Sequence, residues 1–266
     1  MNQKQEEQGM KAFFFDIDGT LVSFHTHTIP ESTLNAIHQI RQRGMKVFVA
    51  TGRPLPFIDN LGEMEYDGIL SFTGAHCELK DGTVLKHNPI AKEDVRSMVD
   101  YAIEHKTSVS FASVNQVITS PISPLAHQVY EMLNISNVTE VSFSDLKRVL
   151  DMDILQMIPF FDEVEETTAK SFFPHCDSAR WHPAFVDLIG KGNSKPSGMD
   201  AVLGHYGIPL EESMAFGDGG NDIGMLIHAG CGVAMGNASE EVKAVADEIT
   251  GSVDDDGIPK ILQRFL

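Results

Sequence analysis

The sequence predicts an α/β protein: a doubly wound parallel sheet with a second, α+β unit inserted into it. Three observations predict this class. Short apolar runs alternate with helix-patterned stretches, as expected of a parallel sheet with helices on both faces. Several runs lead straight into clusters of glycine and acidic residues. Residues 88–187 break the alternation and mix helical stretches with short extended segments.

The first element is a strand at Ala12–Phe15, apolar throughout and so buried on both faces. A helix follows in PESTLNAIHQIRQRG, where Pro30 suits a first turn and Leu34, Ile37 and Ile40 mark one face. Gly44 stops it. Strands are predicted at Lys46–Ala50 and Gly68–Phe72, then, after the insert, at Met214–Gly217 and Gly232–Ala234. Between these, Lys195–Gly207 is helical: Met199, Val202, Leu203 and Tyr206 share a face, and Gly207 closes it. Inside the insert, Ser108–Phe111, Asn115–Thr119 and Ile154–Pro159 are short extended segments. The expected organisation is a discontinuous, Rossmann-like core of residues 10–87 and 188–266, an inserted cap of 88–187, and a disordered tail of 1–9.

Composition narrows the function. A formal net charge of −18 gives a surface that repels nucleic acid and anionic membranes, so neither is an expected partner. No apolar run approaches the roughly 20 residues that span a bilayer. The polar start, MNQKQEEQGM, has no signal-peptide core, which points to the cytoplasm. Cys77, Cys176 and Cys231 are far apart, match no zinc spacing, and read as small buried hydrophobes in a reducing compartment.

Four stretches carry chemistry, and each closes or follows a predicted strand. In an open parallel sheet, ligands bind beyond the carboxyl ends of the strands. In KAFFFDIDGTLV, Asp16 and Asp18 set two like charges at the mouth of an apolar strand, an unfavourable arrangement that a cation offsets. Gly19 permits a sharp turn there. After the second strand, Thr51, Gly52 and Arg53 offer a hydroxyl and backbone N–H groups as an anion cradle. Lys195 opens a helix. The fourth stretch, Gly217-Asp218-Gly219-Gly220-Asn221-Asp222, adds two acids and an amide. Each alone has an ordinary reading as a turn, a cap or a solvated charge. An EF-hand is excluded for GDGGND, because the spaced ligands and closing Glu are missing.

As an ordered set, FFFDIDGTLV, ATGR, Lys195 and GDGGND resemble the four motifs of the haloacid dehalogenase superfamily of phosphohydrolases. Asp18 and Thr51 are 33 residues apart, which leaves little room for a cap, whereas Thr51 and Lys195 are 144 apart. A large insertion in that second gap resembles the Cof-type branch, with an α/β cap and small phosphomonoesters, mostly sugar phosphates, as substrates. Many members of that branch carry Asn-Gly-Ala after the third strand, where this chain has Thr73-Gly74-Ala75.

The resemblance implies roles. Asp16 is the expected nucleophile that forms an aspartyl phosphate, and Asp18 the general acid and later base. Mg²⁺ is the expected cofactor, held by Asp16, the backbone carbonyl of Asp18, and Asp218. Thr51, Gly52, Lys195 and Asn221 would hold phosphate oxygens, and Asp222 would orient Lys195 or a water on the metal. In Ala179-Arg180-Trp181-His182-Pro183, Arg180 and Trp181 are candidates for contact with the leaving group, while Trp181 also reads as a cap-core aromatic. Two other classes compete with a phosphatase. A phosphotransferase or mutase would share the aspartyl phosphate. A non-catalytic binding module would have lost Asp16, Asp18 or Lys195, and all three are present.

Overall fold

The computed structural model describes residues 9–266, apart from the side chain of Trp181. Of the expected tail only Gly9 is described, and residues 1–8 lie outside the described residues. The strands are β1 (Ala12–Phe15), β2 (Lys46–Ala50), β3 (Gly68–Ser71), β4 (His76–Leu79), β5 (Val84–His87), β6 (Val109–Ala112), β7 (Val117–Thr119), β8 (Thr139–Glu140), β9 (Gln156–Pro159), β10 (Cys176–His182), β11 (Phe185–Gly190), β12 (Ser213–Gly217), β13 (Cys231–Ala234) and β14 (Glu248–Ile249). They form two sheets, ordered β14-β13-β12-β1-β2-β3-β4-β5 and β10-β11-β9-β6-β7-β8.

By contact the chain divides into two units. The first takes the chain up to Thr51, then Asp59–Lys86 and Ser194–Leu266; the second takes Gly52–Ile58 and His87–Asn193. Gly52–Ile58 therefore belongs with the second unit, a placement the strand–helix pattern does not reveal.

The first unit holds the eight-stranded sheet. From β14 through β3 all neighbouring strands are parallel, and β4 then pairs antiparallel with β3. β1 lies between β12 and β2, so the chain fills one side of the sheet before it crosses to the other. That reversal opens a crevice at the carboxyl end of β1. Successive side chains of a strand face opposite ways. Phe14 joins Phe48, Met199 and Leu226 on one face, while Phe13 meets Phe265 edge-on at 5.2 Å on the other. Both faces are covered, so AFFF is buried throughout.

Most boundaries fall within two residues of expectation, and two differences have a clear local cause. β3 ends at Ser71, because Phe72 and Thr73 turn into left-handed backbone with φ of 51° and 54°. Pro30 sits just ahead of the helix Glu31–Gln42 with extended ψ, so its ring ends the preceding loop rather than filling the first turn.

The second unit is α+β. Its sheet is antiparallel except for β7 and β8. The helix Lys92–His105 buries Val95, Met98 and Val99 against Phe111, Met157 and Val186. The helix Pro124–Met132 meets a separate cluster through Tyr130, Phe160 and Phe185. Among the described residues no helix is long and apolar enough to cross a membrane.

Candidate active site

β1 carries the site's first acid. Asp16 follows Phe15 directly, is buried, and has its backbone N–H bonded to the Phe216 carbonyl of β12 at 3.0 Å. Its carboxylate therefore emerges between the two central strands. The chain then turns sharply. Gly19 has φ of +81°, and its N–H donates to the Val22 carbonyl at 2.9 Å. In a trans peptide the C=O lies opposite the N–H, so the Asp18 carbonyl points away from Val22. A Cβ on Gly19 would fall 2.2 Å from Asp218 Oδ2, so only glycine lets the two loops approach this closely.

Lys195 comes from the helix Lys195–Tyr206, which Ser194 caps by accepting the Ser197 N–H at 3.2 Å. The start of this helix sits on the Gly74 turn. Gly74 has φ of +80°, and a Cβ there would fall 2.2 Å from the Ser194 carbonyl oxygen. The Lys195 side chain is wholly buried and donates to Asp16 Oδ1 at 2.6 Å and to Asp222 Oδ1 at 2.5 Å. Burial alone would lower its pKa, but the two carboxylates outweigh that and hold it above its ordinary value. The residue is a fixed ammonium.

Asp222 is fully buried, and both its oxygens are engaged. Besides Lys195 it accepts the backbone N–H groups of Asp218 and Gly219 at 3.1 and 3.0 Å. It shapes the GDGGND turn and fixes Lys195. Asp218 projects from that turn toward the Asp18–Gly19 loop and accepts from the Thr20 hydroxyl at 2.9 Å. Burial and the Asp222 charge push its carboxyl up to about 7. Burial, then Asp222, raises Asp16 well above the usual carboxylate range, and Lys195 only partly opposes this. Oxygens of Asp16, Asp218 and Asp222 lie within 4.8 Å of one another. With a single ammonium among them, the cluster holds an excess of negative charge and hard oxygen donors, which suits a divalent cation such as Mg²⁺.

The remaining expected residues are placed as follows. Thr51 is buried at the end of β2, donates its N–H to Leu70 and accepts from the Thr73 N–H at 3.0 Å. Gly52 is next in the chain and groups with the second unit, as does Arg53, which donates to the Phe57 carbonyl at 2.8 Å. Asn221 is half-buried in the glycine turn. Asp18, three residues past the end of β1, is also half-buried.

Arg180 lies in β10. Its guanidinium is committed within the second unit, to Glu166 at 2.9 Å and to the carbonyls of Phe161, His182 and Pro183. These bonds hold the irregularity between β10 and β11 at Ala179 to His182. The guanidinium thus has its partners within the second unit. The side chain of Trp181 lies outside the described residues.

Sequence reasoning missed Thr20 and Asn237. Asn237 donates to the Gly19 carbonyl at 2.8 Å and to Asp218 Oδ2 at 3.1 Å. The available signal was its place three residues past a predicted parallel strand, near the strand-end positions that singled out Asp16 and Asp218.

Known proteins share this sequence pattern and fold. A profile of haloacid dehalogenase-like hydrolases matches residues 13–262. YkrA of Bacillus subtilis (strain 168), a protein classed as a phosphatase, is 34% identical over 250 residues, spanning 93% of this chain and 95% of its own length. From the same organism, the 5-amino-6-(5-phospho-D-ribitylamino)uracil phosphatase YitU is 29% identical over 271 residues, spanning 94% and 95%. Among solved structures, the HAD subclass IIB sugar phosphatase BT4131 superposes with a TM-score of 0.88 at 41% identity, over 96% of this chain and 99% of that one. Fold and site together define a phosphoric monoester hydrolase acting on small-molecule phosphoesters. The chain belongs to the haloacid dehalogenase-like hydrolases, in the Cof-type branch.

Proposed function

We propose that the chain is a Mg²⁺-dependent phosphatase of small phosphomonoesters, foremost sugar phosphates, and that it works through an aspartyl phosphate on Asp16. The observation that carries this reading is the meeting of Asp16, Lys195, Asp218 and Asp222 beside the carboxyl ends of β1 and β12. Asp16, the Asp18 carbonyl and Asp218 would hold the cation, which when bound neutralises charge on the phosphoryl group.

The protein's own residues do the rest. Lys195 engages Asp16 through Oδ1, leaving Oδ2 to attack phosphorus. As the Asp16–phosphorus bond forms, the ester oxygen departs and takes a proton from Asp18. Asp18, now a base, removes a proton from water, which attacks the same phosphorus and releases inorganic phosphate and Asp16. Lys195, Thr51, the Gly52 N–H and Asn221 hold the phosphoryl oxygens through this exchange. Asp222 keeps the Lys195 ammonium in place. Residues 88–187 form the cap and choose the substrate, and Arg180 contributes to that choice through the strands it fixes. Sugar phosphates are favoured because BT4131 is a sugar phosphatase and the YitU substrate carries its phosphate on a ribityl chain.

The test is phosphate release from a panel of sugar and sugar-alcohol phosphates, with Mg²⁺ and in excess chelator. Activity that survives chelation would sink the cation reading. Asp16→Asn should abolish turnover with the circular dichroism spectrum unchanged, and rapid-quench mass spectrometry should find a phosphorylated protein in wild type only. Substantial turnover by a folded Asp16→Asn variant would remove Asp16 from the nucleophile role.

A further inference from the structure

We propose that Asn237 is a positioning residue for the cation site: it locks the Asp218 carboxylate to the Gly19 loop, so that both stand ready before a divalent ion arrives. The inference rests on the cation reading above and adds a residue to it.

Asn237 follows β13, the parallel neighbour of β12. Two contacts bring it to the site. The Met235 N–H donates to the Gly217 carbonyl at 3.0 Å, at the end of β12. The Gly236 N–H donates to the Gly251 carbonyl at 2.9 Å, and a Cβ on Gly236 would fall 2.7 Å from the Ser252 nitrogen. The amide orientation is then settled by its partners. Oδ1 accepts the Val253 N–H at 3.2 Å, which requires an oxygen at that position. Nδ2 is left facing two acceptors, the Gly19 carbonyl and Asp218 Oδ2, and has one proton for each.

One side chain thus joins four loops: its own after β13 and those after β1, β12 and β14. Thr20 holds the other Asp218 oxygen, so both carboxylate oxygens are oriented by donors while each keeps lone-pair capacity. Asp222 fixes the backbone of the Asp218 turn, whereas Asn237 and Thr20 orient its carboxylate. Partners that orient a metal's ligands typically govern its affinity by about 10- to 100-fold. Asn237 is exposed to water, which competes for these bonds, so the lower end of that range applies.

The experiment is calorimetric titration of the full chain with MgCl₂ alone, comparing wild type, Asn237→Ala and Asn237→Ser. Serine puts its hydroxyl where the amide carbon stood, too short for Asp218, Gly19 or Val253, so it removes the same bonds as alanine while keeping the position polar. Both variants should bind Mg²⁺ about tenfold more weakly. In turnover assays the half-saturating Mg²⁺ concentration should rise by the same factor, while kcat at saturating Mg²⁺ changes less. Affinity within about twofold of wild type in either folded variant would overturn the proposal, since a loop anchor alone would leave Mg²⁺ binding intact. Wild type that fails to bind Mg²⁺ would overturn the cation reading and this inference together; wild type that binds beside unchanged variants would overturn this inference alone.

Discussion

Lys195→Met removes one charge and little volume from a fully buried position. The ammonium sits 2.6 Å from Asp16 and 2.5 Å from Asp222, with no exposure of its own side chain. Methionine fills the space but leaves two buried carboxylates facing each other with Asp218 nearby. Removing one partner of a buried ion pair leaves an uncompensated charge and costs about 3–5 kcal/mol. At a urea slope of about 2 kcal/mol per molar, that lowers the midpoint by about 2 M. The sign of the pH dependence follows from Asp16. Burial already raises its folded pKa, and Lys195 is a lowering influence that the variant lacks. The folded variant then binds this proton more tightly than the unfolded chain does. Its stability is therefore fully present below the ordinary carboxylate pKa of about 4 and is lost as pH rises through the folded value. The assay is urea unfolding in chelator, followed by circular dichroism, at about pH 5 and about pH 8, with the larger deficit expected at the higher pH. A midpoint shift below about 0.5 M at the higher pH would refute the claim that Lys195 balances these carboxylates. A deficit that grows on acidification would refute the assigned direction for Asp16.

Two further outcomes follow from burial and close approach. Gly19→Ala places a Cβ 2.2 Å from Asp218 Oδ2 at a φ of +81°, so thermal melting should show a loss of about 1–3 kcal/mol and calorimetry a weakened Mg²⁺ site; a variant matching wild type in both would show that the loop relaxes freely. Burial pushes the Cys77 thiol up to about 12 and raises Cys176 as well, so neither should react with Ellman's reagent at neutral pH in the folded chain, whereas denaturant should release all three free cysteines; rapid labelling of Cys77 in the native protein would contradict its burial.

Much of the core was legible because its signals are local. A continuous apolar strand followed at once by acids, as at Phe15–Asp16 and Gly217–Asp218, names both the element and the end of it that matters. The partners of those acids were harder to read. Thr20 reaches Asp218 across 198 positions and Asn237 reaches Gly19 across 218, and no local pattern encodes such a pairing. The partners of Arg180 were illegible for a related reason. Residue type made it a candidate for contact with the leaving group, but a guanidinium is satisfied by any convergent oxygens, and Glu166 with three carbonyls supplies them. The grouping of Gly52–Ile58 with the second unit was invisible because contacts, not composition, decide it.

The position of β1 between β2 and β12 also has a consequence in time. Its wholly buried phenylalanines are flanked on one side by β2, made soon afterwards, and on the other by β12, which begins only at Ser213. At translation rates of about 5–20 residues per second, a nascent chain holds one edge of β1 open for about 10–40 s. During that interval the strand is a template for any passing extended segment. Residues 88–187 are synthesised within the same window, and the antiparallel pairings of their sheet close over far shorter stretches of chain. The central strand of the core is thus made early and sheltered late, so its open edge persists after the strands of the second sheet have been made.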